Sequence, residues 1–411
     1  MTAECTLKVS SPAELIASVP YLIGFHPADS VVVIAMRGKK IVFAARHDLP
    51  ERELPADAAR ADAAEVASVV AGQGVTGATV IGYGESARVT PTVLRAAEAL
   101  ARVSVPVLDE LRVTDGRYWS YLCSDPDCCP IEGRPCLPAD SAIAAAATYS
   151  GAVALPDRAA LVDQIAPVHG PEQEASTARA QRRLAGLYDR ESHEVGFARQ
   201  VRRAGRVAVR EAERRYRSGK RLTDNEVAWL GTLLVHVAVR DYAWERTGEE
   251  PWWVSLWTDV LRRVEPAYVP APACLLSFAA WRTGQGALAQ VAVDRAVAQE
   301  PRYEMALLLG DVLQLGLHPR AVAGWPAVRP PASSRGVPMA DRFGGAEPSP
   351  PRGHQAELDL LVDPAPQQAP ERAPEREAPP WRVEMPQPGR AVVDERLGRM
   401  PRRPKRRRRA V

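Results

Sequence analysis

Ser30-Val-Val-Val-Ile-Ala-Met36, followed across Arg37-Gly38-Lys39-Lys40 by Ile41-Val-Phe-Ala-Ala45, decides the fold of the first half of the chain. The first run is apolar without alternation, rich in β-branched residues and bounded by Asp29 and Gly38. That pattern suits a buried strand. The four residues between the runs predict a hairpin. Working outward, Asp57 to Gly72 is alanine-rich and helical, with Val66, Val69 and Val70 on one face and Gly72 and Gly74 as stops. Thr79-Val-Ile81 is the next strand, ending in Gly82-Tyr83-Gly84. Thr90-Pro91 predicts a helix start with proline in its first turn, and Leu94 and Leu100 as its apolar face. Val105–Leu108 and Leu111–Val113 are short strand candidates. Asp115-Gly116 is a turn, and Arg117–Leu122 returns as an aromatic strand. Helices alternating with strands predict an α/β fold over residues 1–150, a mixed sheet with helical cover.

Residues 151–325 read as an all-α domain. Thr223-Asp-Asn-Glu226 has the capping-box form. Val227, Leu230, Leu234 and Val237 follow as one apolar stripe. Trp229, Trp244, Trp252, Trp253, Trp257 and Trp281 all lie here and are expected to fill helix–helix contacts. Pro270 to Glu304 predicts a tetratricopeptide-like hairpin, with Ser277 and Ala279 on the first helix, Gly284 at the turn, Ala289 and Ala296 on the second helix, and Pro301 at its end. Small residues let two helices touch, and glycine lets the chain reverse.

The chain has 411 residues and a net charge of +3. Its 48 arginines against five lysines, with heavy use of alanine, fit the codon bias of a GC-rich genome. From Pro326 onward, 86 residues hold 17 of the 37 prolines and little apolar periodicity, so 326–411 is expected to be a disordered tail. Residues 386–411 carry +8, which leaves −5 for the rest of the chain. Six of residues 402–409 are arginine and a seventh is lysine. Such a basic end predicts weak, salt-sensitive binding to nucleic acid or an anionic surface, with a plain solvated tail as the alternative. No stretch is long enough for a membrane span, and the first twenty residues lack an apolar signal core. Six cysteines in a chain of this length fit reduced thiols and a cytoplasmic setting.

Four of those cysteines fall between Cys123 and Cys136, in Cys123-Ser-Asp125-Pro-Asp127-Cys128-Cys129-Pro130-Ile-Glu132-Gly133-Arg134-Pro-Cys136. Three readings stay open for this loop: a zinc site on Cys123, Cys128, Cys129 and Cys136, a reactive cysteine, or a rigid structural loop. Side chains at adjacent positions usually diverge, which speaks against both Cys128 and Cys129 binding one ion. No cofactor is expected, since the chain lacks a dinucleotide fingerprint and a phosphate loop. It also lacks a His-Glu-x-x-His motif and a calcium loop, so no metal is expected, and Cys123, Cys128, Cys129 and Cys136 are the candidates should one bind. The catalytic candidates are His26, just before Pro27, then Arg46 and Asp48 at a strand end, and Cys128. Glu85 follows the Gly-x-Gly at the next strand end. If those strands are parallel neighbours, Arg46, Asp48 and Glu85 share a crevice.

Pro20-Tyr-Leu-Ile-Gly-Phe-His26-Pro27-Ala-Asp29-Ser30, Arg46-His47-Asp48, and Trp119 through Pro138 with Cys128-Cys129-Pro130 and Gly133 resemble an actinobacterial family built on domain of unknown function 4192. The resemblance extends through Gly284–Pro301 and Tyr303–Leu309. It implies no reaction, and it marks His26, Pro27, Asp29, Ser30, Arg46, Asp48, Cys128, Cys129 and Gly133 as positions of interest without roles. The expected function is a non-enzymatic binding or regulatory protein, with a protein partner docked on the helical half. The alternative is a small-molecule binder, hydrolase or transferase with its site at the strand-end loops. There His26 or Asp48 would be the base, Arg46 or Arg117 an anion clamp, and Cys128 a nucleophile or ligand.

Overall fold

The computed structural model describes residues 8–49, 55–168, 170–190 and 194–322, together with 383–384 and 391–393. The first half runs β1 (Lys8–Val9), α1 (Pro12–Ile23), β2 (Ser30–Arg37), β3 (Lys40–Asp48), α2 (Ala56–Gly72), β4 (Gly77–Tyr83), α3 (Ser86–Arg102), β5 (Val107–Thr114), β6 (Arg117–Ser120), β7 (Arg134–Pro135) and α4 (Ala142–Tyr149). Helices α5 (Arg158–Gln164), α6 (Pro171–Asp189), α7 (Glu194–Arg217), α8 (Asp224–Leu234), α9 (Val237–Arg246), α10 (Pro251–Arg263), α11 (Pro270–Arg282), α12 (Gly286–Gln299) and α13 (Glu304–Gln314) follow. Two short strands, β8 (Val383–Glu384) and β9 (Ala391–Val393), lie on the β3 edge. The rest of the expected tail lies outside the described residues.

The sheet order is β1-β8-β3-β2-β4-β5-β6-β7, with β9 also on β3. The expected hairpin is β2–β3, turning at Gly38 with a φ of 58°. Strand β4 pairs antiparallel to β2 and parallel to β5, so the sheet is mixed. Every residue of β2 before Arg37 is buried. Val31, Val33 and Ala35 pack with α2 and α3. Val32, Ile34 and Met36 belong to a second core that contains Leu15, Val19 and Ile23 of α1 and continues without a break through the helical half. Each such side chain contributes about 1.5–3 kcal/mol when fully buried.

Local chemistry holds α1 in place over this face. Ser11 caps its start by accepting from the Glu14 N–H, and Glu14 accepts in turn from the Ser10 N–H at 2.6 Å. Gly24 ends it at a φ of 91°, donating to Pro20 O. In the helical half the Thr223–Glu226 capping box forms as expected. Trp253 and Trp257 are buried with ring centroids 6.2 Å apart, and Trp257 Nε1 donates to Thr247 Oγ1 at 3.1 Å. α11 and α12 form a tight hairpin across Gly284, whose φ is 74°, with Ser277, Ala279, Ala289 and Ala296 fully buried. No helix of the described residues is long and apolar enough to cross a membrane.

Several local expectations need correction. α3 begins at Ser86, four residues before Thr90, and Pro91 lies inside it. Its buried stripe is Val89, Val93, Ala96 and Leu100, which starts before the proline. Packing of that stripe on the sheet outweighs one missing helical hydrogen bond. Leu94 lies on the outer face at 46% exposure. The two short strands expected at Val105–Leu108 and Leu111–Val113 merge into the single β5, which starts only at Val107; Asp109 stays in the sheet with its carboxylate accepting from Ser120 Oγ at 2.6 Å. The α8 stripe stops at Leu234: His236 takes an extended backbone, and Val237 starts α9 while 58% exposed.

The β4–α3 contact leaves no room at Gly82. A Cβ there would lie 2.3 Å from Val89 Cγ1 and 2.7 Å from Val93 Cγ2. Gly82→Ala is expected to cost about 1–3 kcal/mol by overpacking, measured as a lower urea midpoint. An unchanged midpoint would show that α3 does not seat this closely.

Candidate functional site

Strand β2 runs antiparallel to both β3 and β4, so its amino end lies between their carboxyl ends. Ser30 stands opposite both Asp48 and Tyr83. The two strand ends are therefore parallel in direction and separated by β2 instead of adjacent, and the motifs still meet at one sheet edge. Arg46, 4% exposed, donates from Nη2 to Asp48 Oδ1 at 2.5 Å and lies over the Phe25 ring at 5.5 Å. Arg88 Nη1 donates to Asp29 Oδ1 at 2.8 Å. Asp29 takes a left-handed φ of 42° and Gly84 a φ of 134°, and a Cβ on Gly84 would reach Asp29 Oδ1 at 3.1 Å. Four atoms at this edge are buried without a hydrogen-bond partner: Ser30 Oγ, Tyr83 OH, and Nε and Nη1 of Arg46. Burial raises the Tyr83 hydroxyl well above its ordinary pKa, so it stays protonated.

The catalytic candidates do not form one machine here. Asp48 and Asp29 are each held by a guanidinium. His26 is exposed; its backbone N–H donates to Leu155 O at 2.9 Å, while Phe25 turns inward under Arg46. Glu85 is exposed at the start of α3. His47 points to the other sheet face, where the cleft it lines with Thr92 and Arg95 holds only about 40 Å³. A substrate pocket is roughly 300–1,000 Å³. Cys128 belongs to a loop after β6, four strands away from β3 in the sheet order. At about 4.8 Å per strand that is ~19 Å.

The cysteine loop is built against β6. Arg117 donates to the carbonyls of Glu132 and Gly133 at 2.7 and 2.8 Å. Trp119 Nε1 donates to Ile131 O at 2.9 Å. Arg134 donates to the carbonyls of Cys128 and Asp127. The Arg112 guanidinium lies 3.8 Å over the Trp119 ring. At the loop start, Ser120 Oγ donates to the buried Asp109 and accepts the N–H groups of Leu122 and Cys123. Burial pushes the Asp109 carboxyl up from its usual range, against the pull of its Ser120 and Glu110 hydrogen bonds.

This frame places Cys123, half-buried Cys129 and exposed Cys128 with their sulfurs all within 4.8 Å of one another. The expectation that adjacent Cys128 and Cys129 diverge is thus not met, because the Cys129 N–H turns in to donate to Asp125 O at 2.6 Å. Cys136 is not in the cluster; its N–H pairs with Gly116 O. The Asp125 N–H donates to the Cys123 sulfur and lowers its pKa, whereas burial and Cys123 push Cys129 up to about 12. Burial also raises Cys136.

In the helical half, an open groove of about 400 Å³ lies between α6, α7 and α8. Leu187, Ala204, Val207, Ala208 and Trp229 line it, with Arg183 and Arg203 at its sides. Arg183 lies 4.1 Å over the Trp229 ring, and Val207 is 64% exposed. The two acids that line it, Glu211 and Glu226, are both paired to Arg215. The Arg112–Trp119 stack, the Asp109–Ser120 link and this groove were not singled out from sequence. Each depends on which residues the sheet register or helix packing brings together.

The family model for the domain of unknown function DUF4192 matches residues 12–320, so the chain belongs to that family. Neither the curated proteins nor the solved structures contain a match.

Gly133 closes the loop at a φ of 75°, and a Cβ there would lie 2.4 Å from Trp119 Cε2. Gly133→Ala is expected to cost about 1–3 kcal/mol and to speed reaction of the loop thiols with a thiol reagent. Unchanged stability and thiol reactivity would mean that Trp119 does not hold this loop.

Proposed function

We propose that this member of the DUF4192 family is a non-enzymatic binding or regulatory protein whose helical half docks an acidic, amphipathic helical segment of a partner. The observation that carries this reading is the α6–α7–α8 groove, an apolar strip open to solvent and bordered by arginine. α7 itself has eight arginines against three glutamates. An amphipathic helix laid in a groove uses apolar anchors for affinity and charge for orientation. The same reading places the protein in the cytoplasm, gives the α11–α12 hairpin a tetratricopeptide-like role in shaping the docking half, and leaves the basic tail a weak contact for anionic surfaces.

The test is fluorescence anisotropy of the full-length chain with a labelled Glu/Leu amphipathic helical peptide and with its Lys/Leu counterpart. The acidic peptide is expected to bind, with affinity falling as salt rises. Arg203→Glu together with Val207→Asp is expected to weaken it at least about tenfold, or ~1.4 kcal/mol. Equal binding of both peptides, or no effect of the double substitution, would contradict the reading.

A second reading, a small-molecule site at the strand-end edge, is favoured by the unpartnered Ser30 Oγ, Tyr83 OH and Arg46 nitrogens. Buried donors left unpaired are costly. A small anion reaching this edge would offer acceptors to such donors. Inorganic phosphate at constant ionic strength is then expected to raise the melting temperature of the full chain by mass action, and Tyr83→Phe to reduce that rise. No phosphate-specific rise would remove this second reading.

A further inference from the structure

We infer that Cys123, Cys128 and Cys129 form a three-thiolate site for one zinc ion, with the fourth coordination position open to solvent. The chemistry starts from the donor set. Three sulfurs lie within 4.8 Å of one another, and soft thiolate ligands favour zinc over hard cations such as magnesium or calcium. Zinc–sulfur bonds of about 2.3 Å in a tetrahedron put sulfurs about 3.8 Å apart. The cluster needs to contract by no more than about 1 Å to reach that spacing.

The surroundings are those of a built site. Five carbonyls of the loop, those of residues 127, 128, 131, 132 and 133, are tied down by Arg117, Trp119 and Arg134. With those fixed, the loop backbone between Asp127 and Gly133 has little freedom to let Cys128 and Cys129 swing apart. Asp125 pins the turn that brings the cysteines together: its carbonyl accepts the Cys129 N–H at 2.6 Å and its Oδ1 the Asp127 N–H at 2.9 Å. On binding, each thiol gives its proton to solvent, so three protons leave and no electron moves. Zinc with three thiolates carries a net charge of −1. The guanidinium of Arg134, on the backbone of Cys128 itself, offsets it.

Two further features define the site. Cys136 is the remaining cysteine of the loop, but it is fixed on β7's side by its bond to Gly116 O and stays outside the cluster. Cys128 is exposed, so the open position faces water and the ion can exchange. A site of this kind holds a metal that a solution ligand can reach, unlike the closed four-ligand sites that only staple a fold.

The test uses the full-length chain, purified under reducing conditions and titrated with cobalt(II) as a spectroscopic substitute for zinc. About one cobalt per chain is expected, with intense sulfur-to-cobalt charge transfer, visible bands of tetrahedral cobalt, and displacement by zinc. Cys123→Ser, Cys128→Ser and Cys129→Ser should each weaken binding by at least the roughly 10- to 100-fold that loss of an outer-shell partner costs. Cys136→Ser and Cys274→Ser should bind as the parent does. Circular dichroism of the metal-free variants separates lost ligation from lost fold. For any variant that misfolds, zinc protection of the parent's thiols from alkylation, mapped cysteine by cysteine, supplies the same answer. Octahedral cobalt without thiolate bands, full binding by Cys128→Ser, equal loss in Cys136→Ser, or protection confined to other cysteines would overturn the site. So would the thiols pairing into a disulfide in place of taking up metal.

Discussion

Strand β2 is apolar on both faces, and a strand of that kind has to be covered twice. Val31, Val33 and Ala35 are covered by α2 and α3. Val32, Ile34 and Met36 are covered on the other side by the core that α1 begins. That second core does not end at the sheet. It runs on through Ile143 and Leu161 into the tryptophans and leucines of α8, α10 and α11. The change from strands to helices near residue 150 is therefore a change of secondary structure within one continuous apolar cluster. The described residues between 8 and 322 accordingly fall in one compact unit.

The same central strand fixes where polar chemistry can gather. Because β2 is antiparallel to β3 and β4, its first residues meet the last residues of both neighbours. Asp29, Ser30, Arg46, Asp48 and Tyr83 share an edge for that reason alone. The ion pairs Arg46–Asp48 and Arg88–Asp29 each engage one oxygen of a carboxylate. Beside them lie the buried Ser30 and Tyr83 hydroxyls and two Arg46 nitrogens without a hydrogen-bond partner. On the far side of the sheet order, β6 does comparable work for the cysteines: its Arg117 and Trp119 point at a loop with few internal hydrogen bonds and supply the ones it lacks.

Much of the architecture was legible in the sequence, and the reasons are local. The unbroken apolar run of β2, the glycine turn at Gly38, the Thr223–Glu226 box and the small residues of the α11–α12 hairpin each state their own conformation. What was not legible depends on tertiary context. Pro91 reads as a helix start, yet a buried stripe beginning at Val89 carries the helix through it. Asp109 reads as a break between two strands, yet Ser120, eleven residues on, lets it stay in the sheet. The convergence of Cys128 with Cys129 also escapes spacing rules, because it depends on an Asp125 carbonyl that turns the Cys129 backbone. The strand-end motifs were found, but their pairing into salt bridges needed the register.

The central claim is that the doubly covered strand binds the sheet and the helical half into one cooperative structure. Hydrogen exchange of the full-length chain over a urea series, read by mass spectrometry, tests it directly. The account predicts that peptides covering Val31–Met36 and Leu275–Trp281 open with the same free energy and the same urea dependence. Full exchange of the β2 peptide while the α11 peptide remains protected would contradict it, and would make the two halves separate folding units.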